Sequence, residues 1–180
     1  MLAWLGREGN GTMGRYRNQL LAWLYARVPA LARRYAAGTR PLPEPVPWTE
    51  PRVPLERAAV GLVTLAGVHL REQPPFDMTR PQGDASFRVI PATASIRDLT
   101  ITHDYYDHAA ADRDPNVVFP LTRLHELAAA RRIGRAAPRH VGAMGHVLGV
   151  EERRLVEQSA PAIAQLFLAD RVDYVVLSPG

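Results

Sequence analysis

The stretch AAVGLVTLAGVHL, residues 58–70, is apolar throughout except for Thr64 and His69. A strand with one wet face alternates apolar and polar residues, whereas a parallel strand covered on both faces has no need to. The run is well short of the ~18 apolar residues that a membrane span requires. It therefore reads as a buried parallel strand that ends in Ala66-Gly67-Val68-His69. SFRVIP (86–91) reads as a second, short strand. DLTITHDYYDH (98–108) begins as a third over residues 99–102 and then turns polar. RHVGAMGHVLG (139–149) reads as a strand or a glycine-broken loop, and VDYVVLSPG (172–180) as the last strand.

Helices fall between these strands. PLTRLHELAAARRIG (120–134) has proline at its first turn, Leu121, Leu124 and Leu127 on one face, arginines in its last turn and Gly134 as its stop. VEERRLVEQSAPAIAQLFLAD (150–170) carries an apolar stripe of Leu155, Val156, Ile163, Leu166 and Phe167, with Pro161 placed to kink it. Strand–helix alternation predicts an α/β fold: a three-layer domain with a mostly parallel sheet. In that architecture the carboxyl ends of the strands share one edge, where ligands bind. Residues 67–69, 102–104 and 178–180 should converge there.

Upstream, residues 15–37 read as an amphipathic helix. Leu20, Leu21, Leu24, Val28 and Leu31 form its stripe, Pro29 breaks it, and Gly38 caps it. The plain expectation is that the stripe packs on the domain; a basic amphipathic helix can also lie on a membrane surface. TRPLPEPVPWTEPRVP (39–54) is a proline-rich connector expected to be extended. The division expected is a disordered or mis-annotated start at 1–14, helix and linker at 15–56, and the α/β domain at 57–180.

The composition narrows the chemistry. A chain of 180 residues, 47% hydrophobic, suits one domain with a real core. Cysteine is absent, which excludes disulfides, zinc–thiolate sites and a thiol nucleophile within these residues. Every one of the 22 basic residues is arginine, so no lysine Schiff base can form. The net charge of +4 comes without a dense basic block, and no nucleic-acid partner is expected. With no apolar span and no secretory leader pattern, the cytoplasm is the default location.

THDYYDH (102–108) is the densest chemical cluster: His103, Asp104, Asp107 and His108 supply two imidazoles and two carboxylates. On a helix His103 would share a face with Asp107, and Asp104 with His108, as a metal site or a proton-transfer pair. The plain alternative is a helix cap at Asp104 with a solvated turn. His69 follows a buried strand and suits either a substrate contact or a satisfied strand-end histidine. On the loop REQPPFDM (71–78), Gln73, Phe76 and Asp77 could face the same site, Asp77 otherwise being an ordinary turn residue. GAMGH (142–146) lets backbone approach a ligand but is no phosphate loop. His125 reads as structural. No nucleophile elbow or dinucleotide fingerprint is present.

The motifs PWT, VGLVTLAGVHL, QPPFDM, GDASFRVIP, LTITHDYYDH, PNVVFPLTRLHELAA and VDYVVLSPG, taken in order, resemble component B (selenoprotein B) of the glycine/sarcosine/betaine reductases and their D-proline reductase relatives, in a short form. The similarity runs from about residue 47 to 180. It implies reductive cleavage of a carbon–nitrogen bond in a small amine or amino acid, with a selenocysteine or cysteine as the attacking residue. That residue is expected immediately after Gly180, so the chain is expected to be cut short there by a UGA codon read as stop. The resemblance further implies other reductase subunits, one carrying a pyruvoyl group, and a thioredoxin-like dithiol donor. His69, His103 or His108 would stabilise the attacker or protonate the leaving amine. Asp77, Asp104 or Asp107 would hold the amine or orient a histidine, with Gln73, Phe76, Ser178 and Gly180 near the substrate. The competing expectations are a non-catalytic small-amine-binding module and a metal-dependent lyase or hydrolase using the His103–His108 cluster. A homo-oligomer is compatible with all three.

Overall fold

The computed structural model describes residues 12–36 and 49–179. Helices α1 (Thr12–Arg27) and α2 (Pro29–Ala36) lead, separated at Val28 by the expected proline break. Gly38 and most of the proline-rich connector lie outside the described residues. The domain then runs β1 (Ala59–Thr64), β2 (Val68–Leu70), β3 (Arg88–Pro91), β4 (Leu99–Ile101), α3 (Ala109–Arg113), α4 (Leu121–Ala129), β5 (Arg135–Ala136), β6 (Arg139–Gly142), α5 (Val150–Arg154), α6 (Ala160–Ala169) and β7 (Tyr174–Ser178).

β1 is the spine. It pairs in parallel with β7 along one side, and along the other with β5 at its start and β6 at its end. β3 adds antiparallel to β6, so the sheet is mixed but mostly parallel. β1 is buried at every position, as an apolar run without alternation requires. Val60 and Leu62 face a cluster with Phe119, Leu121 and Leu124, beside α3 and α4. Val63 faces the other way, to Val141 and Phe167 of α6. Two helical layers with a sheet between them make the three-layer α/β fold that the strand–helix alternation predicts.

Several local expectations need correction. Residues 58–70 are not one strand. The chain turns at Leu65–Gly67, and β2 leaves the main sheet to pair antiparallel with β4 in a second, two-stranded ladder. Glycine permits that turn: Gly67 has φ +72°, and a Cβ there would lie 2.5 Å from the Thr102 carbonyl oxygen. Likewise 99–101 is a strand of the small ladder, not of the main sheet. Helix α4 ends at Ala129 rather than near Gly134, because Arg131 adopts φ 54° and breaks the helical path first. Residues 155–159 form a π-helical turn between α5 and α6. It widens the helix just ahead of Pro161, whose missing N–H and bulky ring would disrupt a regular α-helix at that point.

The N-terminal stripe is covered only in part: Leu21 and Leu24 are half-buried, whereas Leu20, Val28 and Leu31 are exposed. Ala22 is the only buried residue of α1 whose side chain is described, while Tyr16, Leu20 and Trp23 are 66%, 59% and 47% exposed. Polar side chains of α1 also reach the domain, Arg15 and Gln19 both bonding Asp104. Among the described residues no helix is long and apolar enough to cross a membrane.

Candidate functional site

The carboxyl end of the sheet gathers four chain segments. Leu65 N–H donates to Ser178 O (2.9 Å), holding the tip of β7 beside the end of β1. Thr102 N–H donates to Gly67 O (2.9 Å), laying the 102–108 loop on the next residues. Gly67 N–H reaches Ala143 O (2.9 Å) and Gly145 N–H reaches Leu65 O (2.8 Å), bringing in the loop after β6. The expected convergence is present for 67–69, 102–104 and Ser178, but only Ser178 arrives by parallel pairing; 67–69 and 102–104 meet through the antiparallel β2–β4 ladder. Gly180 lies outside the described residues.

His103 stands at the centre. It is buried, its ring set edge-on to Tyr105 and Tyr106 (centroids 5.9 and 4.9 Å apart). Nδ1 accepts the Tyr105 N–H (3.2 Å), so the proton of the neutral ring sits on Nε2. Burial, aided by His146 and His108 and opposed by Asp104, lowers its pKa to about 4. At neutral pH His103 is thus a hydrogen-bond donor and not a proton source. Tyr106 donates to Ala66 O (3.1 Å), and burial raises its phenol above the ordinary range.

Asp104 is buried and fully engaged. Arg15 of α1 grips both oxygens, Nε to Oδ2 at 2.6 Å and Nη2 to Oδ1 at 3.2 Å, and Gln19 adds a third donor at 3.1 Å. Asp104 is therefore not a helix cap. Nor do 103–108 form a helix, so the face-sharing expected of His103 with Asp107 and of Asp104 with His108 does not arise; α3 begins only at Ala109. Asp107 accepts the Ala109 N–H (3.2 Å) and pairs with Arg27 (3.1 Å), and these two bonds, the first above all, lower its pKa. His108 Nδ1 meets Asp112 Oδ2 at 2.7 Å, making an Asp–His dyad that is partly exposed.

The remaining candidates brace the site. His69 has both ring nitrogens engaged: Nδ1–H donates to Leu70 O (2.7 Å) and Nε2 accepts the Thr102 hydroxyl (2.8 Å). Burial lowers its pKa, opposed by the Leu70 bond. Gln73 bridges Leu70 N–H and Val89 O (3.0 and 2.8 Å). Phe76 is core, edge-on to His69 and packed with Met78 and Met144. Asp77 accepts from Thr79 and Arg80 in a tight turn, the Thr79 bonds lowering its pKa, while its own N–H is held by Asp84. His125 Nε2–H donates to Ala92 O (2.9 Å). Among the described residues no group of three or more His, Asp or Glu could hold a metal ion, so the metal-dependent reading has no ligand set here.

Three participants escape a reading of the sequence by clusters. His146 stacks on Tyr105 (3.7 Å between centroids) and lies 3.2 Å from Pro81 O. Arg15 arrives from 89 residues upstream, and nothing local announces it. Asp112 stands four residues past His108, and that spacing, which places two side chains together on a helix, is the signal that would have pointed to it.

The chain is thus an α/β domain with an imidazole- and carboxylate-lined site at one strand edge. The resemblance to the D-proline reductase family holds: the chain is 36% identical over 140 residues to D-proline reductase subunit gamma of Acetoanaerobium sticklandii, a match covering 78% of this chain and 56% of that protein. The chain spans about half the length of this curated relative. No family model and no solved structure matches it.

Proposed function

We propose that this protein is a subunit of a reductase that cleaves the carbon–nitrogen bond of a small amine or amino acid, of the glycine, sarcosine, betaine or D-proline kind. The observation that carries the reading is the Leu65–Ser178 hydrogen bond. It holds the tip of β7 two residues from Gly67, on which the His103 loop lies. On this reading the attacking residue follows Gly180, close to this strand edge. There a selenolate or thiolate, ionised near neutral pH, supplies the attack on the substrate carbon. The chain's own residues do the rest. His103 offers Nε2–H to an anion at the strand end. Asp104 is the anchor for the amine cation. The Asp112–His108 dyad carries the proton that the departing nitrogen takes. Two electrons come from a thioredoxin-like dithiol, and other subunits, one with a pyruvoyl group, assemble around this one.

The test is the nucleotide sequence after the Gly180 codon, together with turnover by the protein expressed from it. An in-frame UGA or cysteine codon followed by two codons and a cysteine, and amine-dependent oxidation of a dithiol, are expected. A frame with neither residue would end the reductase reading and leave a binding module for small amines.

A further inference from the structure

We propose that Asp104 is the base of a cation subsite that α1 keeps filled with its own Arg15, so that the helix is a displaceable latch over the site. The identity of the competing ligand, a small ammonium cation, rests on the function proposed above. The latch itself rests on geometry.

Asp104 is 3% exposed, yet its partners come from a helix that is hardly buried at all. Arg15 meets the carboxylate with two nitrogens while its own side chain stays 48% exposed. Gln19 lies one turn along and fills the remaining donor position. Arg27, three turns on, closes a second ion pair on Asp107 (3.1 Å). The hydrogen bonds and ion pairs of α1 with Asp104 and Asp107 come from charged and polar side chains, and of its apolar side chains only Ala22 is buried, with Leu21 and Leu24 half-buried and Tyr16, Leu20 and Trp23 exposed. A permanently packed helix is built the other way round, apolar face inward. Exposed ion pairs hold weakly and are screened by salt, whereas a buried carboxylate left without a cation is strongly disfavoured. The state that costs least is therefore an exchange. Arg15 leaves when another cation takes its place, and an ammonium group presents the same charge to the same two oxygens.

The experiment uses the whole 180-residue protein, with pyrrolidinium chloride as the probe and sodium chloride at matched ionic strength as control. Hydrogen exchange of α1 and of β1 is followed alongside calorimetric titration. In the unaltered protein pyrrolidinium should release α1 while β1 stays protected, and sodium chloride should do so far less. Arg15→Ala with Gln19→Ala should free α1 and tighten pyrrolidinium binding by about tenfold, because the closed fraction no longer taxes affinity. Asp104→Asn should free α1 and abolish binding. If α1 stays protected in the double variant, or if pyrrolidinium binds both forms equally, the latch is overturned and the amine site stands. If α1 is freed but no form binds pyrrolidinium, Asp104 is no amine anchor and the subsite falls with it. Should a variant fail to fold, the salt-matched titration of the unaltered protein decides alone.

Discussion

His140 occupies a position that no polar pattern marks. It is fully buried on β6, where Pro138 interrupts the lane between β5 and β6. Its Nδ1 accepts the Leu62 N–H at 3.1 Å, doing the work of a backbone carbonyl, and its Nε2 has no partner among the described residues. Burial lowers its pKa to about 4, as it does for His103. The sign follows from the ordinary histidine value of 6.5: the unfolded chain takes up these protons first. The stability the two rings contribute is full above that value, drains away as pH falls toward 4, and changes no further below. Each ring is worth up to about 3 kcal/mol across the window. Urea midpoints measured at intervals from about pH 7.5 to about pH 4 should fall accordingly; a flat profile would contradict the burial of both rings. His140→Leu should flatten part of that slope yet cost ~1–3 kcal/mol at neutral pH, because Leu62 N–H loses its acceptor. In protein that turns over, His108→Gln should lower kcat by ~10²–10⁴ with KM nearly unchanged, as expected of a lost proton carrier. An unaltered kcat would remove the dyad from the reaction.

At the scale of elements, one contact ties α6 to the sheet. The Phe167 ring lies on Gly61, and a Cβ there would stand 2.9 Å from its Cε1. Gly61→Ala should therefore force the ring off the sheet and cost ~1–3 kcal/mol by thermal unfolding, without touching the strand-edge site. This contact shows what the sequence can and cannot reveal. The unalternating run 58–64 and the stripe containing Phe167 declare a doubly covered strand and a covering helix, because burial on both faces leaves its mark in composition. That the two meet at a glycine is written nowhere locally. The same division explains the corrected elements. Residues 68–70 continue the same run with one polar residue, as Thr64 is before them, and only the close approach of Thr102 to Gly67 shows that they belong to another ladder. The loop 102–108 was legible as a chemical cluster, but its roles depended on partners from α1 and α3. The stripe of α1 was legible as a stripe, and its direction was not, since a helical period says which residues share a face but not what that face meets.

The whole molecule is asymmetric at its margins. At one end of the main sheet β3 runs antiparallel, its inner neighbour β6. At the other, β7 is bonded to β1 alone among the described residues. Its side chains are apolar on both faces, like those of β1, yet Val175, Val176 and Leu177 are 42%, 44% and 72% exposed. No charge, proline or bulge blunts this edge within Tyr174–Ser178, and an unguarded apolar edge strand invites pairing with another chain. Sedimentation at rising concentration should show association, and Leu177→Arg should suppress it; a concentration-independent monomer would mean the edge is inert. The strand so left open is also the one whose tip reaches Leu65. A lane laid against it would restrain the fraying of a marginal strand at the very residue that aims the site. Quaternary assembly and competence would then be a single equilibrium, and dilution would erode the activity of each molecule as well as the number of complexes.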